Sequence, residues 1–120
     1  MKFKLKVRLQ GLIVDDYISE GVVQVEHEGK WGYICPSKWT RANSYVLCGQ
    51  LGFPNVKESY AVTIQDVEPV YWLDQVTCEG WESSIVSCDR QVLGQCEDGQ
   101  ALRIKCARRV SDKVSWNGYL

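Results

Sequence analysis

Phe3, Leu5, Val7 and Leu9 alternate with Lys2, Lys4, Lys6 and Arg8. A period of two marks a strand with one buried and one wet face, and here the wet face is wholly basic. Val23, Val25 and His27 alternate with Gln24, Glu26 and Glu28 in the same way. Gly29 and Lys30 supply a turn, after which Trp31, Tyr33 and Cys35 read as the second arm of a hairpin. The period then changes. Thr40 suits a helix N-cap and Gly52 a stop, and between them Ala42, Tyr45, Val46 and Gly49 fall on one face, with Cys48 and Leu51 beside it. Glu82 to Cys88 reads as a short helical turn, and Leu102, Ile104 and Cys106 as a closing strand. The mostly polar stretch from Ala107 to Leu120 reads as a linker or tail. Several strands around one helix give the α+β class.

A chain of 120 residues suits one domain and buries roughly two-thirds of its unfolded surface. Its six cysteines, Cys35, Cys48, Cys78, Cys88, Cys96 and Cys106, are even in number, as three disulfides require. No CxxC occurs and His27 is the only histidine, which removes zinc knuckles and thioredoxin-like redox sites. Disulfides persist in oxidising surroundings, so the expected compartment is extracellular: a secreted protein or the ectodomain of a membrane protein. Spacing alone leaves about fifteen pairings of six cysteines open.

The net charge of −1 conceals an uneven distribution. Lys2, Lys4, Lys6 and Arg8 open the chain, Arg103, Lys105, Arg108, Arg109 and Lys113 close it, and the region between is acidic. Local patches therefore say more about partners than the average does. No apolar run approaches the ~18–20 residues that span a bilayer, so this segment is not expected to insert into a membrane. The basic start lacks the apolar core of a signal peptide. Asn43, Asn55 and Asn117 have no Ser or Thr two positions on, so no N-glycosylation acceptor is present.

Several motifs, in order, resemble the scavenger receptor cysteine-rich (SRCR) family. They are VRL at Val7 to Leu9, EGVVQV at Glu20 to Val25, GKWGYIC at Gly29 to Cys35, VLCGQLGF at Val46 to Phe53, and WLDQVTCEGWESSIVSC from Trp72 to Cys88. The resemblance covers residues 7–106, leaving 1–6 as an N-terminal extension and 107–120 as a linker or tail. It implies a curved antiparallel β-sheet cradling one α-helix. Six cysteines so placed resemble the group A arrangement, which implies the pairs Cys35–Cys96, Cys48–Cys106 and Cys78–Cys88.

The chain also departs from that family. Many members bind a divalent cation through carboxylates, but the usual acidic positions here hold Pro36, Ser37, Gln100 and Ala101, and Asp74 has Gln75 as neighbour. Calcium needs six to eight oxygen ligands. No metal site and no cofactor are therefore expected, with Glu97 and Asp98 three residues out of register. Some members hold polyanions through an arginine whose aligned position is Val22 here. A different basic stripe is expected if the first and last strands share a sheet: Lys4, Lys6 and Arg8 beside Arg103 and Lys105, suited to sulfated or other anionic polymers. The plainer reading is a solvated strand face. Trp81 stands where threonine is common, as an interface anchor or as a cover for the Cys78–Cys88 bridge. Trp31, Trp39 and Trp72 sit at positions of core packing. The stretch Lys57 to Tyr71 reads as a variable loop, with Tyr71 a further ligand-contact candidate.

Catalysis needs a nucleophile, an acid–base pair or a metal in a pocket. His27 lies in an alternating strand with no partner motif, and neither a phosphate loop nor a nucleic-acid-reading motif is present. The chain is not expected to be an enzyme. Two functions remain. One is an extracellular recognition module for a protein or polyanionic ligand. The other is an accessory domain of a mosaic secreted enzyme, a protease or amine oxidase, with flanking domains and no ligand of its own.

Overall fold

The described part of the alternation at the start of the chain, from Lys6 on, forms a strand, and it runs further toward the C-terminus than the pattern indicates. A computed structural model describes residues 6–15, 17–91, 96 and 99–108. In it β1 spans Lys6–Val14 and pairs antiparallel with β2, Ile18–His27, from Lys6 opposite Glu26 to Val14 opposite Ser19. A register shift between Gln10 and Ile13 falls where Gly11 takes φ 67°, a left-handed conformation that costs glycine little. The other edge of β2 is shared. Its second half, Gln24 to His27, meets β3, Lys30–Ile34, while Ile18 to Val22 meet β7, Gln100–Ala107. Beyond β7 lies β4, Asn55–Thr63; beyond β3 lie the parallel β5, Tyr71–Thr77, and then the short β6, Asp89–Gln91. The result is a seven-stranded, mostly antiparallel sheet in the order β4-β7-β2-β3-β5-β6, with β1 on β2.

One α-helix, α1 at Arg41–Gln50, packs on the inner face. The Thr40 side chain accepts from the Asn43 amide as N-cap, and Gly52 follows the C-cap Leu51 at φ 97°. The buried face differs from the expected one. It carries Asn43, Ser44, Val46, Leu47 and Cys48, while Tyr45 and Gly49 are exposed. The reason is polar. Asn43, fully buried, donates to the Val76 carbonyl at 2.7 Å and accepts from the Cys78 amide at 2.9 Å. It clamps α1 to the end of β5 by satisfying two backbone groups that would otherwise be buried without partners.

The main core lies between sheet and helix: Val23, Val25, Ile34, Val46, Leu47, Leu73, Ile85, Leu102 and Ile104 are buried there. A smaller core of Tyr33, Cys35, Tyr71 and Ala101 sits in a second cluster with Val22 and Ile64. Disulfides join Cys48 to Cys106, Cys35 to Cys96 and Cys78 to Cys88, the pairs that the resemblance implies. The first ties α1 to β7. The last closes the loop carrying a 3-10 turn at Ile85–Ser87, where the sequence reads as a short helical turn. The stretch Lys57 to Tyr71 is only partly a loop. Lys57 to Thr63 belong to β4 and are laddered to β7, which leaves 64–70 as the connection.

Candidate recognition surfaces

Antiparallel partners point to the same face of a sheet, so the ladder dictates which charges meet on the outer surface. Lys6 opposes Glu26, Glu20 opposes Lys105, and Lys105 opposes Glu58. Val22 opposes Arg103, which opposes Tyr60. Lys6, Arg8, Arg103 and Lys105 thus do share one face of one sheet. The strand between them, β2, inserts acids. Arg103 Nε donates to Glu20 Oε2 at 2.7 Å, the Tyr60 hydroxyl donates to the same oxygen at 2.9 Å, and Lys105 Nζ lies 2.9 Å from Glu58 and 4.0 Å from Glu20. Lys6 Nζ is 3.7 Å from Glu26. Arg8 lies 3.9 Å over the Trp31 ring and donates to Gln24 at 2.7 Å. Trp31 is therefore an outer-face partner of Arg8 and not core packing. Lys4 lies outside the described residues.

The Arg103 hydrogen bond holds the Glu20 carboxyl below the ordinary glutamate range, and the same contact raises Arg103. Lys105 is raised chiefly by its bond to Glu58. These directions describe cations already satisfied by the fold. Sequence reasoning missed Glu20, Glu58 and Tyr60, although Glu20 shares the parity of Gln24 and Glu26 and could have been placed on their face.

Tyr71 is not a surface residue. It is 1% exposed, lies in the smaller core, and its ring centroid is 6.1 Å from that of Tyr33. The Tyr33 hydroxyl donates to Asp66 at 2.6 Å and pins the 64–70 connection over this cluster. Burial first, then the Asp66 carboxylate, push the Tyr33 phenol up to about 12. His27 stands edge-on to Trp72, with centroids 4.9 Å apart, in a packing position.

Trp81 is the opposite case, 79% exposed. Its turn is nonetheless held at several points. Both Glu82 carboxylate oxygens accept backbone N–H groups, from Glu79 and Gly80 at 2.9 Å each, and these bonds hold Glu82 below its ordinary value. Gly80, at φ 115°, sits against Ala42 on the first turn of α1. On that turn Arg41 lies 5.2 Å from the Tyr45 ring, and Tyr45 is 41% exposed. An exposed tryptophan therefore stands on a held turn that meets the first turn of α1, which carries the Arg41–Tyr45 pair; Trp, Arg and Tyr are the residue types enriched at the hot spots of protein interfaces.

The positions of the family's cation site do not fit a metal. Ala101 is fully buried and, like Pro36, Ser37 and Gln100, offers no carboxylate, so Asp74, 9% exposed, stands as the sole acid. Glu97 and Asp98 lie outside the described residues. The one cluster of metal-ligating side chains among the described residues is Cys78, Glu82 and Cys88, whose sulfurs form a disulfide and whose carboxylate is engaged by backbone.

The family model for the scavenger receptor cysteine-rich domain matches residues 15–107. The chain belongs to the SRCR family. SRCR domains are non-catalytic modules, and the fold described above is the SRCR fold. The third SRCR domain of murine neurotrypsin superposes with a TM-score of 0.64 at 26% identity, covering 89% of this chain and 99% of that one. The SRCR domain of mouse MARCO, in its dimeric form, gives 0.63 at 25% identity over 81% and 95%. In sequence, this SRCR domain is 35% identical to lysyl oxidase homolog 2B of Danio rerio over 99 residues, and 33% identical to lysyl oxidase homolog 2 of Pongo abelii over 118. Those matches cover 74% and 93% of this chain but only 13% and 15% of the relatives. Among the described residues, no helix is long and apolar enough to cross a membrane.

Proposed function

We propose that this domain is an accessory recognition module of an extracellular multidomain protein of the lysyl oxidase homolog kind, and that it meets a protein partner through Trp81. The observation that carries the reading is a tryptophan 79% exposed on a turn that Glu82 and Gly80 hold in place. An anchor ordered before binding loses little conformational entropy when a partner covers it. Similarity to lysyl oxidase homologs supports the accessory role, since the match spans a small fraction of proteins in a secreted amine oxidase family. Three disulfides agree with an extracellular setting. A polyanion is the weaker ligand, because the outer-face cations are compensated by Glu20, Glu26 and Glu58.

The test is binding of the oxidised domain to an array of extracellular proteins, with the Trp81→Ala and Arg41→Ala variants and heparin in parallel. The reading expects a saturable protein interaction that weakens at least tenfold in Trp81→Ala, the size of a hot-spot loss, with thermal stability unchanged. Equal binding by wild type and Trp81→Ala would remove Trp81 as the anchor.

A further inference from the structure

Tyr17 lies between β1 and β2 and is 42% exposed. Asp15 and Asp16 precede it in the sequence, Glu20 follows three positions on, and no lysine or arginine occurs between Arg8 and Lys30. We propose that Tyr17 is a site of tyrosine O-sulfation, its hydroxyl taking a sulfuryl group from a nucleotide-bound sulfate in the secretory route. The inference rests on the extracellular setting proposed above and is independent of Trp81.

An enzyme that binds a nucleotide carrying both phosphate and sulfate must line its site with cations, and a segment rich in carboxylates is drawn into the same field. In the transfer the Tyr17 hydroxyl oxygen attacks sulfur and an O–S bond forms. The bond from sulfur to the donor's phosphate oxygen breaks, the phenol proton passes to a base of the enzyme, and the nucleotide leaves as its phosphate. Nothing is oxidised or reduced.

The sequence offers two tyrosines of this kind, and the fold separates them. Within five positions Tyr17 has Asp15, Asp16 and Glu20, and Tyr71 has Asp66, Glu68 and Asp74, with no lysine or arginine near either. Tyr33, Tyr45 and Tyr60 each have a lysine or arginine in that window and at most one acid, and Tyr119 has no acid. Tyr71 is 1% exposed and packed in the smaller core, out of reach of an enzyme acting on the folded chain. Tyr17 stands at a hairpin end where Leu12, Ile13 and Val14 are themselves 50–58% exposed, open to an approaching enzyme. Its backbone is held in place. The Asp15 carboxylate accepts from the Tyr17 and Ile18 amides at 2.8 and 2.7 Å, and the Tyr17 carbonyl accepts from the Arg108 amide at 2.7 Å. Two cations reach this end from elsewhere in the fold, and both are engaged. Arg103 bonds Glu20 at 2.7 Å, while Arg108 donates to the Asp15 carbonyl at 2.9 Å and lies 5.6 Å from the Phe53 ring.

The experiment is secretion of the full 120-residue chain behind a cleavable leader from cultured animal cells, followed by accurate-mass peptide mapping. Expected is a gain of one SO3 on the peptide carrying Tyr17 and none on that carrying Tyr71. The gain should vanish in Tyr17→Phe and when chlorate blocks synthesis of the sulfate donor. No sulfate on Tyr17, while a tyrosine-sulfated control protein secreted by the same cells carries it, would overturn the proposal. So would sulfate on Tyr71 to the same extent, or a phosphate on Tyr17 in place of the sulfate. Because the leader commits the chain to the secretory route, a negative result counts against Tyr17 and not against the extracellular reading. The decisive mass is read on the wild-type chain, so the result does not depend on how the variant folds.

Discussion

Replacing Glu20 and Glu58 with glutamine should turn a balanced outer face into a polyanion-binding one. On that face Lys6, Arg8, Arg103 and Lys105 stand against Glu20, Glu26 and Glu58, an excess of one positive charge. The double substitution raises the excess to three and removes the acceptors that hold Arg103 at 2.7 Å and Lys105 at 2.9 Å. Affinity for a dense polyanion falls with salt by a slope of about 0.9 per cation engaged. Between 50 and 200 mM salt the wild-type domain should therefore lose about threefold in heparin affinity, and the variant about fortyfold. Fluorescence polarisation of a labelled heparin oligosaccharide across that series, with circular dichroism as the check on folding, reads both slopes. A steep slope in the wild type, or no steepening in a folded Glu20→Gln/Glu58→Gln variant, would refute the claim that these ion pairs mask the stripe.

Asn43→Ala leaves the Val76 carbonyl and the Cys78 amide buried without their partner, at roughly 1–3 kcal/mol for each such group. A net loss of about 2–4 kcal/mol and a fall in Tm of about 8–16 °C are expected by calorimetry of the oxidised protein. Gly32→Ala would place its Cβ 2.6 Å from Trp72 Cδ1 and 2.8 Å from the Val70 carbonyl oxygen. It should cost about 1–3 kcal/mol in urea titrations and shift the tryptophan emission, because Trp72 must leave its 2.9 Å bond to the Lys30 carbonyl. Glu20, Asp15 and Glu82 all hold folded-state values below their ordinary ones. Their stabilising contribution is thus complete above about pH 4.5 and is lost as pH falls through the folded values, so the urea midpoint should be flat from neutral pH to about 5, decline below 4.5, and decline less in Glu20→Gln.

The parts of the fold legible in the sequence were those governed by short-range rules. Thr40 and Gly52 bound the helix because capping and left-handed stops act over a single turn. The β2–β3 hairpin shows its alternation directly. β4 gave no such signal. As an edge strand, with only Val56 buried among Asn55–Thr63, it is held by its ladder to β7 and by the Tyr60 and Glu58 contacts, none of which a local pattern contains. Tyr71 was misjudged for a related reason. The register shift between Tyr33 and Ile34 where β3 meets β5 sends Tyr71 to one core and Leu73 to the other, although two residues apart they should share a face. The helix face was misread because Asn43, counted as polar, is among its most deeply buried residues. The basic stripe was legible as composition, yet its neutralisation depends on Glu20 standing 83 residues from Arg103 in the chain.

The turn that carries Trp81 and the apolar cavity lined by Leu9, Leu12, Val14, Leu51 and Phe53 lie at opposite ends of α1. Gly80 rests on Ala42 in the first helical turn, while Leu51 at the C-cap lines the cavity. Nine residues at a rise of about 1.5 Å put these ends roughly 14 Å apart. Substitutions at that distance with no shared contact partner are additive to within about 0.5 kcal/mol. Trp81→Ala should then leave the Leu12, Val14 and Leu51 methyl resonances at the cavity in place, as read by NMR. If those resonances instead moved in Trp81→Ala, the two ends would form one surface, and the assignment of a partner to Trp81 alone would have to be redrawn.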